Sequence, residues 1–340
     1  MQKIIVTGGL GYIGSHTVVE LINKGYQVII IDNLVNSSIE TLDGIETITG
    51  VRPEFHQLDM INSEKLNALF ENHNDTESII HFAALKAVGE SCSNPIAYYQ
   101  NNLGALLNLI QAMNDNDISK LVFSSSATVY GDPDSLPLTE EHQTKPALSP
   151  YGNTKKIGED IIKDTTTAMA GFHAISLRYF NPIGAHSSVQ IGELPNGIPN
   201  NLMPFITQTA AGLRKELLVY GNDYNTPDGT AIRDYIHVVD LAAAHVKTVE
   251  RLIYNEQKSN FEIFNLGTGK GSSVLEVIHS FEKTSGQKLP YRFVERRKGD
   301  VEQMYASTDL ANNELGWKAK LNLDDMTASS WAWEKHARNL

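Results

Sequence analysis

Near its start the chain reads KIIVTGGLGYIG (residues 3–14). An apolar run at 4–6 leads into glycines at 8, 11 and 14, and a helical pattern follows over 13–23. Glycine has no β-carbon, so the turn can be tight and backbone N–H groups can approach a pyrophosphate at the positive end of a helix. Such a turn can also be purely structural, but a strand before it and a helix after it are the context of a dinucleotide site. The residues expected at the cofactor are Gly8, Gly11, Tyr12, Ile13 and Gly14.

A carboxylate stands at the end of the next apolar run, 28–31. Asp32 lies about twenty residues beyond the glycines, where it can accept hydrogen bonds from ribose hydroxyls and would repel a 2′-phosphate. NAD is therefore favoured over NADP as the cofactor. Asp32 could instead be a helix cap or a turn residue before Asn33. Asp59 closes the run 55–58 and is a candidate adenine partner, because it too stands at the end of a strand.

The first half of the chain alternates short β-branched runs with longer helical patterns. The runs at 78–82, 121–124 and 173–178 are largely apolar, as expected of parallel strands with helices on both faces, and 121–124 is counted as the fourth strand. Helices are predicted over 63–73, 95–115 and 151–170, with Pro95 in the first turn of the second. These patterns predict an α/β fold with a doubly wound parallel-sheet Rossmann domain at 1–180 that binds NAD.

The amino-acid composition of the chain changes after residue 180. The stretch 181–204 is rich in Pro, Gly and Asn and longer than an ordinary connection, so we expect it to be functional. Beyond it we place a smaller α/β C-terminal lobe, 181–340, that mainly binds the substrate and from which some segments can return to the first domain. Its elements are predicted at 238–251, 261–266, 274–285 and 323–333, with Asn322 as the cap of the last helix.

Composition restricts the class of protein. The formal net charge is −12, which argues against a broad basic surface for nucleic acid. No apolar stretch approaches the ~20 residues needed to cross a bilayer, and the residues before the first strand lack the pattern of a secretory signal, so we expect none. Cys92 is the single cysteine, and no His/Cys ligand cluster, HExxH or GxSxG motif supports metal or nucleophilic chemistry. We expect a cytoplasmic protein that uses no metal and binds neither nucleic acid nor a membrane.

The candidate catalytic groups are Tyr151, Lys155 and Ser126. Tyr151 and Lys155 stand four apart in a helical pattern, so both side chains can lie on one face. A phenol titrates near ~10, and an adjacent ammonium together with an oxidised nicotinamide would lower that pKa, so that Tyr151 could take a proton from a substrate hydroxyl. Lys155 can also hold the nicotinamide ribose, and Ser126, at a strand end, can share the proton. The alternatives without a catalytic role are an ordinary surface pair of the tyrosine and the lysine, and a serine that forms hydrogen bonds with loop backbone groups.

Ordered motifs run along nearly the whole chain. They are TGGLGYIGSH (7–16), DNL (32–34), HFAALKAVGES (81–91), SSSATVYG (124–131), the Tyr151 and Lys155 pair, RYFNP (178–182), IPNNLMP (198–204) and RDYIH (233–237). Together they resemble the extended short-chain dehydrogenase/reductase family, and more closely its UDP-glucose 4-epimerases, also called UDP-galactose 4-epimerases. The resemblance covers so many motifs in order that a chance similarity is remote.

The resemblance implies which residues meet each ligand. At the cofactor it places Asn33, Phe82, Ala83, Lys86, Asn101, Ser124 and Tyr179, together with Tyr151 and Lys155. Around a UDP-sugar it places Ser126, Phe180, Asn181, Asn201, Leu202, Tyr220, Arg233, Arg297, Asp300 and Met304. The two arginines can clamp a diphosphate through charge-assisted hydrogen bonds. They could instead form solvated ion pairs with Asp234 or Asp300.

The resemblance also implies the reaction: reversible C4 epimerisation of UDP-glucose and UDP-galactose, through a transient 4-keto sugar and enzyme-bound NADH, as in galactose metabolism. A homodimer is implied as well, through helices near 95–115 and 151–170. A 4,6-dehydratase of the same fold is disfavoured, because the family's Asp-Glu pair is replaced here by Ala127 and Thr128.

The sequence leaves two further functions open. Restrictive epimerases carry Tyr where this chain has Met304, and methionine is narrower and flexible. The chain could therefore be an epimerase of UDP-N-acetylglucosamine, or one of dual specificity for hexoses and N-acetylhexosamines. A dinucleotide sensor without activity is less favoured, because Ser126, Tyr151 and Lys155 are all present.

Overall fold

The computed structural model describes residues 1–297 and 300–340. These residues form two compact units. Unit 1 consists of Met1–Gly131, Gln143–Arg178 and Ala242–Phe264. Unit 2 consists of Asp132–His142, Tyr179–Leu241 and Asn265–Leu340.

The strands and helices are as follows. The strands are β1 (Lys3–Thr7), β2 (Gln27–Asp32), β3 (Glu54–Gln57), β4 (Thr76–His81), β5 (Lys120–Ser126), β6 (His173–Tyr179), β7 (Asn181–Ile183), β8 (Leu217–Tyr220), β9 (Ile232–His237), β10 (Phe261–Leu266), β11 (Gly271–Ser273), β12 (Tyr291–Val294) and β13 (Gln303–Met304). The helices are α1 (Tyr12–Asn23), α2 (Thr41–Thr49), α3 (Ser63–Glu71), α4 (Val88–Ser93), α5 (Pro95–Asp115), α6 (Pro150–Ala168), α7 (Leu202–Ala210), α8 (Val238–Ile253), α9 (Val274–Ser285), α10 (Asp309–Glu314) and α11 (Leu323–Arg338), with a 3₁₀ turn at Ala127–Tyr130. Among the described residues, no helix has both the length and the apolar character of a bilayer-spanning segment.

A seven-stranded sheet in the order β10-β6-β5-β4-β1-β2-β3 forms the centre of the Rossmann fold. Its pairs are parallel, with Ile5 of β1 opposite Ile29 of β2 on one side and Ile79 of β4 on the other. The chain adds β2 and β3 on one side of β1, then β4, β5 and β6 on the other, so the strand order reverses between β1 and β4. Ligands of such sheets bind outside the carboxyl ends of the strands at this reversal.

The strands of this sheet are apolar because both of their faces are covered. Ile5 and Ile29 belong to a buried cluster with Phe70 of α3, Leu106 of α5 and Ile162 of α6. Successive side chains of a strand face opposite sides, and the remaining apolar residues of β1 and β2 are buried as well. The predicted doubly wound α/β class is confirmed by this arrangement.

Unit 2 is a smaller α/β structure. A four-stranded sheet has the order β11-β9-β13, with β7 also paired to β9, and β12 pairs with β8. Helices α7, α9 and α11 supply its core, in which the rings of Phe281 and Trp331 meet edge to face at 5.7 Å. The predicted cap of α11 is confirmed, because the Asn322 side chain accepts hydrogen bonds from the backbone N–H groups of Asp324 and Asp325.

The structure corrects the sequence-based prediction for two elements and for the strand count. The strand Phe261–Leu266 was expected in the second lobe, from which some segments were predicted to return to the first domain. It is such a segment, because it lies at the edge of the seven-stranded sheet beside β6. Most of α8, expected in the same lobe, falls in unit 1 through Ala242–Phe264. Local periodicity indicates a helix or a strand but does not say which sheet a strand joins. The strand that ends in Ser126 is also the fifth, not the fourth, since β3 precedes it.

Candidate active site

The glycine turn has the geometry of a phosphate-binding site. Gly8 has φ +68°, and a β-carbon there would lie 2.8 Å from the backbone nitrogen of Ala83. A β-carbon on Gly14 would lie 2.2 Å from the carbonyl oxygen of Gly8. Within the described residues, no side chain caps α1 at Gly11 and no acidic residue lies in its first turn. The turn can therefore be formed only by glycine at these positions, and the positive end of α1 suits an anion.

Asp32 lies at the end of β2 and holds two loops. One carboxylate oxygen accepts from the backbone N–H of Leu10 at 3.1 Å. The other accepts from the N–H of Leu34 at 2.9 Å and from the hydroxyl of Ser37 at 2.7 Å. Asp32 therefore does act as a turn residue, which was the alternative interpretation of its position. A carboxylate has about four acceptor sites, so these three bonds still leave room for a ribose hydroxyl.

Four of the other predicted cofactor residues of unit 1 form two pairs. Asn33 donates to Asp59 at 3.3 Å. The ammonium of Lys86 lies 6.0 Å from the centre of the Tyr12 ring. In the loop after β4, the Phe82 N–H donates to the carbonyl of Thr7 at 2.9 Å.

One residue that the sequence analysis missed, Asn102, supports this loop. Its side chain accepts from the N–H of Leu85 at 2.8 Å and donates to the Leu85 carbonyl at 3.0 Å. It also donates to the hydroxyl of Thr154 on α6 at 3.0 Å, and accepts from Asn101 at 3.0 Å. Asn102 therefore ties the loop after β4 to the helix of Tyr151. The only sequence signal was its place beside Asn101.

The structure brings Ser126 and Tyr151 into hydrogen-bond contact. Ser149 caps α6 by accepting from the N–H of Gly152 at 3.2 Å, which places Tyr151 in the first turn. Ser126 accepts from the backbone N–H of Thr128 at 3.2 Å and from its hydroxyl at 3.0 Å. A serine hydroxyl has two lone pairs and one proton. Both lone pairs are occupied, so its proton is directed to the phenol of Tyr151, where the bond lowers the pKa.

The protein groups around Tyr151 act on its pKa in opposite directions. Burial raises it to about 12, and the hydrogen bond with Ser126 offsets only part of this rise. Lys155 was expected to lower it, but its ammonium donates to the carbonyl of Ser124 at 2.6 Å and lies 5.0 Å from the Phe123 ring centre. Desolvation disfavours the charged form of each group. It accordingly lowers the pKa of Lys155 to about 8 as well.

A buried ion pair lies one helical turn beyond Lys155. Glu159 accepts from Ser125 at 2.5 Å and from the guanidinium of Arg178 at 3.0 and 2.6 Å. The guanidinium also stacks on the Tyr130 ring at 4.7 Å. The negative charge of Glu159 raises the pKa of Lys155 against the effect of burial. The sequence analysis gave Glu159 no role, although its i+4 spacing from Lys155 was a signal.

In unit 2 the predicted substrate residues form two groups. The guanidinium of Arg233 pairs with Asp300, and Met304 lies opposite Arg233 in the register of β13 with β9. The guanidinium of Arg297 lies 4.7 Å from the centre of the Tyr220 ring. The ion-pair alternative is therefore realised for Arg233, with Asp300.

Asp234, the other acid considered for such a pair, serves a different purpose. It is fully buried and accepts from the backbone N–H groups of Thr268, Gly269 and Ala306 at 2.8, 3.0 and 3.2 Å. These bonds hold three loop positions of unit 2 in place.

The remaining predicted residues lie along the segment from β6 to α7. Tyr179 and Phe180 are buried, and the N–H of Phe180 donates to the carbonyl of Leu266 at 3.1 Å. Asn181 begins β7 and is exposed. Asn201 donates to Glu193 at 3.0 Å just before α7, which begins at Leu202.

A doubly wound sheet with a glycine turn after its first strand, and a serine, tyrosine and lysine near the end of β5 and the start of α6, defines the class of short-chain dehydrogenases/reductases. The family model described as GDP-mannose 4,6 dehydratase matches residues 5–330. The UDP-glucose 4-epimerase of Dictyostelium discoideum is 51% identical over 333 residues, which are 98% of this chain and 96% of that protein.

Two solved structures are similar over the full length. The UDP-glucose-4-epimerase of Stenotrophomonas maltophila, with bound NAD and formylated UDP-arabinopyranose, has a TM-score of 0.96 at 46% identity and covers 100% of this chain and 99% of that one. The UDP-glucose 4-epimerase of Bifidobacterium longum, in complex with NAD⁺ and UDP, has a TM-score of 0.95 at 47% identity and covers 99% of each chain. The chain belongs to the family of that model and, within it, to the UDP-glucose 4-epimerases.

Proposed function

We propose that this chain interconverts UDP-glucose and UDP-galactose by inverting the C4 hydroxyl, with NAD as its resident cofactor. The observation that carries the proposal is the hydrogen bond from Ser126 to Tyr151, with Lys155 one turn further along α6. It lies in the unit whose glycine turn can accept a pyrophosphate. Full-length relatives that are UDP-glucose 4-epimerases support the same reaction.

The residues present fit NAD. The Gly8–Gly14 turn would receive the pyrophosphate, and the free acceptor site of Asp32 would receive an adenosine ribose hydroxyl. Lys86 and Tyr12, which face each other, would lie beside the cofactor. When bound, NAD supplies the acceptor and then the donor of the C4 hydride, and a positive charge that lowers the pKa of a nearby phenol.

Tyr151 moves the proton. Its phenol oxygen takes the proton of the C4 hydroxyl and returns it after the 4-keto sugar has presented its other face. A phenol with a pKa of about 12 is a poor base at neutral pH. The bond donated by Ser126 stabilises the phenolate, and Lys155, held at the carbonyl of Ser124, keeps a cation at the base of α6.

Inversion requires that the sugar turn while the nucleotide stays bound. Arg233 and Arg297 are proposed to hold the diphosphate, with Phe180, Asn181, Asn201, Leu202 and Tyr220 around the remaining parts of the UDP-sugar. Arg233 is already oriented by Asp300, so it would add a phosphate to an existing ion pair. Binding energy from the nucleotide can retain the intermediate without tight contacts to the hexose.

Turnover without added cofactor tests the proposal. Purified protein given UDP-galactose should form UDP-glucose with no added NAD, and denaturation should release NAD. Tyr151→Phe should keep the bound NAD and lose turnover, because it removes the proton acceptor alone. Protein that is purified free of NAD and turns over only with stoichiometric reductant would contradict the proposal, as would retained epimerisation in Tyr151→Phe.

The dehydratase activity named by the family model is not proposed. Elimination of water needs an acid and a base beyond Tyr151, and the positions after Ser126 carry Ala127 and Thr128. The 3₁₀ turn that they begin contains no carboxylate.

Acceptance of N-acetylhexosamines is a second candidate function, and Met304 favours it. This residue is 9% exposed and lies opposite Arg233. Methionine can change rotamer to admit an acetamido group, whereas tyrosine is rigid. UDP-galactose and UDP-N-acetylgalactosamine should therefore both turn over, and Met304→Tyr should remove the second activity while leaving the first. Absence of acetamido turnover in the unmodified protein would end this candidate.

We also propose a cytoplasmic homodimer. Helices α5 and α6 pack against each other, and α5 carries two exposed apolar side chains, Ile96 at 69% and Leu107 at 52%. Burial of these side chains against a second copy would stabilise a dimer. Sedimentation equilibrium should give twice the chain mass, and Leu107→Glu should shift the equilibrium toward monomer.

A further inference from the structure

Three side chains outside the proposed active site meet at an edge of the seven-stranded sheet. Glu54 and His56 are alternate residues of β3, the edge strand, so they project from the same face. His73 lies between α3 and β4, where its carbonyl accepts from the backbone N–H of Thr76 at 3.1 Å and from its hydroxyl at 2.7 Å. A strand and a hydrogen-bonded turn therefore fix the backbone positions that carry the three side chains.

Their ligand atoms converge. The Nε2 atoms of His56 and His73 lie 2.8 and 3.3 Å from the same carboxylate oxygen of Glu54, and one ligand atom from each residue lies within 4.8 Å of the others. A tetrahedral zinc ion with bonds of about 2.0–2.2 Å separates its ligand atoms by roughly 3.3 Å. The two distances to Glu54, 2.8 and 3.3 Å, are already close to that spacing, and the two imidazole ligand atoms, which lie within 4.8 Å of each other, would need to approach by at most about 1.5 Å.

We infer that Glu54, His56 and His73 form a binding site for a divalent late transition metal, represented here by Zn²⁺. Two imidazole nitrogens and one carboxylate oxygen are a ligand set that zinc prefers, and water would complete the coordination. The site joins the edge strand to the turn that leads into β4. Its role is structural, because none of the three residues belongs to the proposed catalytic or cofactor set.

The charges around the site favour a cation. His73 has a side chain only 13% exposed. Lys3 and Asp75 act on His73 electrostatically, but they form an ion pair with each other. The uncompensated charge at the site is therefore the negative charge of Glu54.

The second ring nitrogen of His73 limits the affinity of the site for zinc. The Nδ1 atom of His73 is buried and has no hydrogen-bond partner within the described residues. Metal-binding histidines normally donate that second nitrogen to an acceptor, and loss of such a bond costs about 10–100-fold in affinity. We expect reversible zinc binding, weaker than at closed structural sites.

Calorimetric titration of tag-free, chelator-treated protein with zinc chloride tests the site. The unmodified chain should bind a single zinc with nitrogen and oxygen ligands, and X-ray absorption should give zinc–nitrogen distances of about 2.0–2.1 Å. His56→Ala and Glu54→Gln should each weaken binding by at least about tenfold, because each removes one ligand.

His336→Gln is the matched control, because His336 is an exposed histidine of α11 in unit 2. It should bind zinc as the unmodified chain does. Turnover of UDP-galactose should be equal in the unmodified chain and the three variants, which would show that the variants are folded. If His56→Ala is inactive, the zinc affinity of the near-isosteric Glu54→Gln tests the site instead. No binding up to millimolar zinc, unchanged affinity in Glu54→Gln, or an equal loss in His336→Gln would overturn the assignment.

Discussion

Thr128 offers a direct way to test how Ser126 is oriented. Thr128→Val keeps the shape of the side chain and removes its hydroxyl, which donates to Ser126 at 3.0 Å. The shape must be kept because Thr128 packs closely against the backbone of Gly152. A β-carbon added to Gly152 would lie only 3.2 Å from the β-carbon of Thr128. Without the hydroxyl, one lone pair of Ser126 is free and its proton can turn away from Tyr151.

The magnitude follows from one hydrogen bond. A net loss of about 0.5–1.5 kcal/mol corresponds to a fall in kcat of about 2- to 13-fold if the bond acts fully on the proton transfer. The same loss raises the pKa of Tyr151 by up to about one unit, because less of the phenolate charge is compensated. The acid limb of the profile of kcat/KM against pH should therefore move upward, while KM for UDP-galactose stays the same.

The assay is steady-state epimerisation by the NAD-bound protein from about pH 6 to 10, a range that extends below the ordinary phenol pKa of ~10 because the positive charge of NAD lowers the pKa of Tyr151. Thr128→Ser keeps the hydroxyl and is the matched control, with unchanged melting temperature as the measure of folding. Unaltered kcat and pH profile in Thr128→Val would refute the orientation mechanism. A rise in KM alone would also refute it, because it would assign Thr128 to substrate binding.

Three further predictions rest on other parts of the structure. Gly14→Ala should abolish retention of NAD, measured as cofactor released on denaturation, because the new β-carbon would lie 2.2 Å from the carbonyl oxygen of Gly8; retained NAD would show that the turn can move. Burial lowers the pKa of Lys155 to about 8 even with the opposing charge of Glu159; Glu159→Gln removes that charge, so the alkaline limb of kcat/KM should move to lower pH, and an upward shift would contradict this electrostatic role. Burial lowers the pKa of His237 from its ordinary 6.5 to about 4, so between these values the unfolded chain binds the extra proton and stability falls as pH falls. The contribution is of the order of 3 kcal/mol over that window, and denaturant titrations of His237→Gln should show a weaker loss of stability from pH 6.5 to 4 than the unmodified chain does.

Much of the fold could be read from local patterns. The helix predicted over 95–115 has those bounds in the structure, and so does the helix over 274–285. Their signals, a proline in the first turn and apolar residues at helical spacing, lie within a few residues of each other. The place of the strand Phe261–Leu266 beside β6 could not be read in this way, because pairing between distant strands leaves little trace in either strand alone.

The proposed site was likewise predictable from the sequence only in part. The i, i+4 spacing of Tyr151 and Lys155, and the position of Ser126 at the end of a strand, made these residues candidates from the sequence. The sequence shows the neighbouring ammonium but not the burial that raises the pKa of Tyr151. The predicted lowering also depends on the charge of the nicotinamide, so it stays a prediction for the NAD-bound protein. The support from Asn102 was missed because its partners lie on other elements.

The sequence by itself determined the glycine turn, the acidic residue at the end of β2, the order of most helices and strands and the Tyr151/Lys155 spacing, because each depends on residues that are near neighbours in the chain. Only the tertiary structure decided that β10 joins the central sheet, that Arg233 pairs with Asp300, and that Glu54, His56 and His73 meet at the sheet edge. Burial and contacts between distant segments arise when the chain packs. Electrostatic energies depend on both.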